Sequence, residues 1–171
     1  DGLDSAIGNW LSDVTRKAAG ADMGFQNTKG IRAEIRKGGV RLRDLYQAMP
    51  FENTIVTMRL NGAQLKRLMA DNFFRGKSSM QVSGLEVEFK PGPDGKPVKI
   101  RLKRGGREIG PKEEFLVATN NYLAFGGNGG DAFGGGKDVK DTMLPVRDAM
   151  MSDFSGGPVT APAIGRIRRL K

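Results

Sequence analysis

The 171-residue sequence contains neither cysteine nor histidine. Without cysteine there can be no disulfides, no thiolate metal sites and no thiol nucleophile. Such a chain suits reducing and oxidising compartments alike. Without histidine the commonest general base at neutral pH is missing, and so is the commonest transition-metal ligand. A self-contained Ser-His-Asp hydrolase or zinc hydrolase does not fit this composition. Long apolar runs are absent too: no stretch approaches the roughly 20 residues that a membrane-spanning helix needs. No leader pattern is visible, because the sequence opens almost directly on a helix signal. Any targeting segment would lie upstream.

What is present reads as globular. With 38% hydrophobic and 27% charged residues, the balance is that of a folded domain rather than a disordered chain. The length suits one domain with a substantial core. Lys and Arg exceed Asp and Glu by 28 to 19, a net charge of +9. An excess of that size favours anionic partners, or it forms a solvated basic face.

Local patterns divide the chain into alternating elements. Ile7, Trp10, Leu11, Val14 and Ala18 recur at helical spacing, with Asp4 or Ser5 as cap and Gly20 as stop. A short strand is expected from Asp22 to Asn27, and a helix from Leu42 to Met49 ahead of Pro50. The β-branched run Thr54 to Leu60 predicts a strand. After a turn at Asn61-Gly62 comes a second amphipathic helix with Leu65, Leu68, Met69 and Phe73 on its apolar side. GLEVEF alternates apolar and acidic residues, and VKIRLKR alternates apolar and basic ones. Together they predict an antiparallel hairpin with opposite charges facing across it. A strand from Glu114 to Thr119, a helix from Val146 to Asp153 and a tail strand from Gly165 to Leu170 complete the set. The expected fold class is mixed α/β (α+β): one domain, a mixed sheet flanked by helices.

The segment from Ala124 to Lys137 is too rich in glycine for a helix or a regular strand. It fails as a nucleoside-triphosphate loop, because Asp131 stands at the first glycine position and Asp138 comes after Lys137. It fails as a dinucleotide loop through Gly127, Gly129 and Ala132, because the run FGGGKDVKD cannot open the helix that receives a pyrophosphate. A surface loop or a ligand-contacting loop remains.

Four segments taken together resemble, in order and spacing, the C-terminal domain of 5′-nucleotidases and UDP-sugar hydrolases. They are SAIGNWLSDV, ADMGFQNTKGIRAEI, LRDLYQAMPFENTIVTMRLNGAQLKRLM and ATNNYLAFGGNGG. The resemblance covers about Ser5 to Phe133. It implies that a metallophosphoesterase domain in cis, on the N-terminal side, carries two divalent metal ions and the catalytic residues. No cofactor and no catalytic group is then expected in this chain. Its ligand would be a nucleotide or nucleoside, and its setting periplasmic or extracellular.

The resemblance also assigns residues. Asn27 to Arg32 resembles the NGGGIR loop, whose asparagine faces the ribose side and whose arginine faces phosphate. Arg32 suits that task, since a guanidinium offers paired planar donors. Thr28 and Lys29 replace two glycines of that loop. Phe51 and Tyr122 fall where the family sandwiches a base, and Asn53 where it contacts the base edge. Asn128 matches the position of the family's hydroxyl-binding aspartate, with Asp131 as the alternative three residues on. Ahead of the first helix the family carries an arginine where this chain has Asp1. The competing reading is a non-catalytic module for nucleic acid or another polyanion, resting on Lys99, Arg101, Lys103, Arg104 and Arg107. A relative acting on other phosphate or sulfur esters would keep the fold and change the ligand.

Overall fold

The computed structural model describes residues 2–170; Asp1 lies outside them. The first helix, α1, spans Ala6–Ala18, and Ser5 caps it by accepting the amide of Gly8 at 3.1 Å. Gly20, at φ +60, turns the chain out of the helix. Next come β1 (Met23–Asn27), a 3-10 turn (Thr28–Gly30), α2 (Leu42–Ala48), β2 (Thr54–Asn61) and α3 (Gly62–Asp71). The Asn61-Gly62 pair is not a free turn. Asn61 ends the strand and caps α3 directly, exchanging bonds with Gln64 in a capping box.

Five further strands come next: β3 (Phe73–Phe74), β4 (Lys77–Ser78), β5 (Met80–Ser83), β6 (Glu86–Pro91) and β7 (Pro97–Arg104). The chain closes with β8 (Arg107–Glu108), β9 (Glu114–Asn120), α4 (Asn121–Ala124), β10 (Lys137–Pro145), α5 (Val146–Ser155) and β11 (Ile167–Arg169). Phe73 is not a helix residue, contrary to what its spacing predicts. Asn72 ends α3 by turning its side-chain amide onto the carbonyls of Leu68 and Gly129, and Phe73 enters β3. There it packs on Phe89 with ring centroids 4.1 Å apart. β5 and β10 carry no clear pattern in the sequence and are additions to the expected set.

Three layers result. The central sheet has the order β10-β2-β9-β1-β5, and within it only β1 and β9 run parallel. On one face α1, α2 and α5 bury Trp10, Leu11, Leu45, Met49 and Met150 against Ile55 and Ala118. On the other, α3 and the second sheet, β11-β6-β7-β8, bury Leu65, Leu68, Val87, Phe89 and Ile100 against Met23, Phe25, Met58 and Val117. Each fully buried large apolar side chain contributes about 1.5–3 kcal/mol. The predicted hairpin is β6-β7, with Glu86 opposite Lys103 and Glu88 opposite Arg101. The tail is held to α1: Asp4 accepts the amides of Gly165 and Arg166, and Arg166 grips Asp13 through both guanidinium ends at 2.9 and 2.7 Å.

Candidate functional site

The topology gathers several expected residues at one end of the central sheet. Because β1 and β9 are parallel, Asn27 and Asn120 end their strands side by side. β2 is antiparallel to β9, so it starts at that same end, with Ile55 opposite Asn120 and Asn53 just ahead. The carboxyl ends of parallel strands are where open α/β sheets commonly take ligands.

A cluster of amides builds the floor. Asn120 accepts the backbone amide of Leu123 at 3.0 Å and so caps α4. Its own NH2 donates to Gln26 at 3.1 Å and to Asn27 at 3.0 Å. Gln26 in turn donates to Asn27 at 3.1 Å. Gln26 and Asn120 are buried, and Asn27 is half-buried. Gly30 closes over the cluster: a Cβ there would stand 2.9 Å from both amide atoms of Asn27, so a side chain would displace it.

The walls are aromatic. Phe51 and Tyr122 each leave 45% of their surface exposed. Asn53 joins their segments by donating to Asn121 at 2.6 Å. The segment around Phe51 is fixed from α5, where Val146 donates its amide to Asn53 and Arg147 donates to the carbonyls of Met49 and Phe51. The hydroxyl of Tyr122 accepts the backbone amide of Asn128 at 3.1 Å, so the loop backbone at Asn128 lies against the tip of Tyr122. Asp131 is exposed at the start of a 3-10 turn, Asp131–Gly135. Arg32 is exposed, and its backbone amide is pinned to Ala48 at 2.9 Å.

Sequence reasoning does not single out Gln26, Asn120, Asn121 or Arg147. Asn120 has a visible signal, the TNN triplet at a strand end ahead of a short helix, where asparagine is a preferred cap. Arg147 has none, since its partners lie almost a hundred positions away.

The basic run on β7 and β8 is partly neutralised. Lys103 pairs with Glu88 at 2.9 Å, Arg104 with Asp22 at 3.0 Å and Arg107 with Glu113 at 2.6 Å. The bonds from Arg107 and from the Gly110 amide pull the Glu113 carboxyl down to about 2. By contrast, Lys29, Arg32, Arg36, Lys37 and Arg41 are all exposed and make no ion pair within 4.0 Å among the described residues. Between them Ile31, Ile35 and Val40 pack onto the α1-α2-α5 core, so the segment turns its charges outward beside the amide cluster.

Two open clefts, with volumes of about 490 and 390 Å³, lie elsewhere, lined by Asp13, Arg16, Arg104 and Arg166 and by Trp10, Asp153 and Pro158. Neither includes a residue of the amide cluster. We place the site at the sheet end because polar groups and exposed rings converge there, whereas the larger cleft is lined by charges already paired with one another. Among the described residues, no group of three or more Asp or Glu side chains gathers to hold a metal ion.

Residues 1–135 match the family model described as the 5′-nucleotidase C-terminal domain. The chain is 34% identical over 140 residues to the trifunctional nucleotide phosphoesterase protein YfkN of Bacillus subtilis, covering 74% of this chain and 10% of that protein. It is 32% identical over 155 residues to a probable 5′-nucleotidase of Treponema pallidum, covering 81% of this chain and 26% of that one. The 5′-nucleotidase precursor of Thermus thermophilus superposes with a TM-score of 0.81 at 28% identity, over 98% of this chain and 36% of that one. The chain thus spans a minor share of each relative's length. With its three-layer fold, this chain belongs to the 5′-nucleotidase C-terminal domain family.

Proposed function

We propose that this chain is the nucleoside-gripping part of a metal-dependent 5′-nucleotidase, taking the base between Phe51 and Tyr122. The observation that carries the reading is the convergence of two half-exposed rings and an amide cluster at one sheet end. Asn53 contacts the base edge, Asn27 the sugar side and Arg32 the phosphate. Asn128, which already touches Tyr122, takes the hydroxyl-binding role ahead of Asp131. A metallophosphoesterase domain in cis completes the site. The metal ions and the attacking water belong to that other domain, and the setting is periplasmic or extracellular. What this chain supplies is orientation, which can account for a large part of a rate enhancement.

Titration calorimetry with adenosine tests the reading. Stacking on one ring contributes about 1–3 kcal/mol, so Phe51→Ala and Tyr122→Ala should each weaken binding about 5- to 150-fold. The chain alone should release no phosphate from AMP, with or without added divalent metal. Unchanged affinity in both variants would remove the sandwich and favour a relative with another ester as ligand. The polyanion reading is less well supported, because three of the five charges on which it rests, Lys103, Arg104 and Arg107, are already paired.

A further inference from the structure

Arg147 lies in the first turn of α5, almost a hundred positions from Phe51. Its side chain is only 11% exposed, although it carries a full charge. One terminal nitrogen donates twice, to the carbonyl of Met49 at 3.1 Å and to that of Phe51 at 2.9 Å. These carbonyls flank Pro50, which has no amide to contribute to a turn of its own. The guanidinium carbon lies over the ring of Tyr46, 4.2 Å from the centroid. On its far side stands Glu52 at 3.8 Å, but that carboxylate side chain is 91% exposed and contributes little. Beside it the Val146 amide holds the Asn53 carbonyl at 2.9 Å.

The first turn of α5 therefore grips both ends of the segment from Met49 to Asn53. The Phe51 ring itself is exposed and has no core packing to hold it. The backbone from which it projects is held by Arg147 on either side of Pro50 and by the Val146 amide at Asn53. We propose that Arg147 is a positioning residue that aims the Phe51 ring, an inference that rests on the reading of Phe51 as a base-contacting side chain. The demand is specific to arginine. Lysine keeps the charge, but its compact ammonium cannot place a delocalised planar cation over Tyr46 while also reaching both carbonyls.

A double-mutant cycle on this chain reads the coupling, with adenosine as the titrant in calorimetry and thermal unfolding run alongside. Arg147→Lys is expected to weaken adenosine binding about tenfold while the chain stays folded at the assay temperature. Added to Phe51→Ala, the same change is expected to cost nothing further, because no ring remains to aim. Full affinity in Arg147→Lys, or an equal loss on the Phe51→Ala background, would overturn the role: the first means no effect, the second a purely structural one. If Phe51→Ala alone leaves affinity unchanged, the stacking reading falls and this role falls with it. If Phe51→Ala weakens binding while Arg147→Lys does not, only the role of Arg147 falls. Should Arg147→Lys lose its fold, Tyr46→Leu removes the surface beneath the guanidinium and reads the same coupling, with the same two overturning outcomes.

Discussion

Gly127 sits where a single methyl group would test the aromatic wall. Its amide donates to the Tyr122 carbonyl at 2.7 Å, closing the loop back onto α4. A Cβ at Gly127 would stand 2.4 Å from that carbonyl oxygen and 2.5 Å from the Tyr122 ring. Comfortable contact needs about 3.5–4.0 Å, so in Gly127→Ala the ring must retreat by about 1 Å or the loop must open. Overpacking of this kind costs about 1–3 kcal/mol, or roughly 2–12 °C of melting temperature for a chain of this size. Adenosine affinity should fall about tenfold as the ring leaves its stacking position. Gly134→Ala is the matched control: same loop, same added methyl, and no atom within 4 Å of the new carbon. Differential scanning fluorimetry and calorimetry on the pair decide the matter. A Gly127→Ala variant no worse than Gly134→Ala in both assays would refute the claim that the loop positions Tyr122.

Two other outcomes are expected. Burial pushes the Asp13 carboxyl up, but hydrogen bonds from Arg166 and Ser83 and the Arg166 charge outweigh it and hold it below its ordinary value. That contribution is present above the unfolded value near 3.8 and fades as pH falls through the folded one. Asp13→Asn, which leaves the mostly buried Arg166 without its charge partner, should therefore cost about 2 kcal/mol in urea unfolding at neutral pH. The gap from the parent chain should close in strong acid; an equal gap at both pH values would contradict the assignment. The outward charges of Arg36, Lys37 and Arg41 should favour phosphate-bearing ligands. Replacing all of them by serine should weaken AMP about two- to threefold at low ionic strength and leave adenosine unchanged, a difference that high salt should erase.

Much of this architecture can be read directly from the residues. α1 declares itself through the spacing of Trp10, Leu11 and Val14, and β2 through its β-branched run. Both bury one continuous apolar face, and burial is what periodicity reports. β10 is hidden for the opposite reason. It pairs only with β2, carries Asp138 and Met143 at positive φ and shifts register, so no alternation survives. β5 is hidden because Gln81 and Ser83 face α1 as hydrogen-bonding groups, receiving Ser5 and Arg16 where an apolar side chain would be expected. At the candidate site, Asn27, Phe51, Asn53 and Tyr122 are legible through local motif context. Gln26 and Arg147 are not, because what defines them is a partner far along the chain, visible only once β1, β9 and α5 have converged.

The amide cluster has one more consequence, and it concerns direction. A backbone N–H can only donate, so the amide of Leu123 compels Asn120 to turn its oxygen toward it. The NH2 of Asn120 then meets the oxygens of Gln26 and Asn27, and Gln26 is left to donate as well. None of these three side chains can flip without setting donor against donor. Asn27 ends the series with its oxygen held by two donors and its NH2 uncommitted to any acceptor among the described residues. A main-chain proton at the start of α4 has thereby set the sign of the group that the strand end has left to give: a donor, not an acceptor.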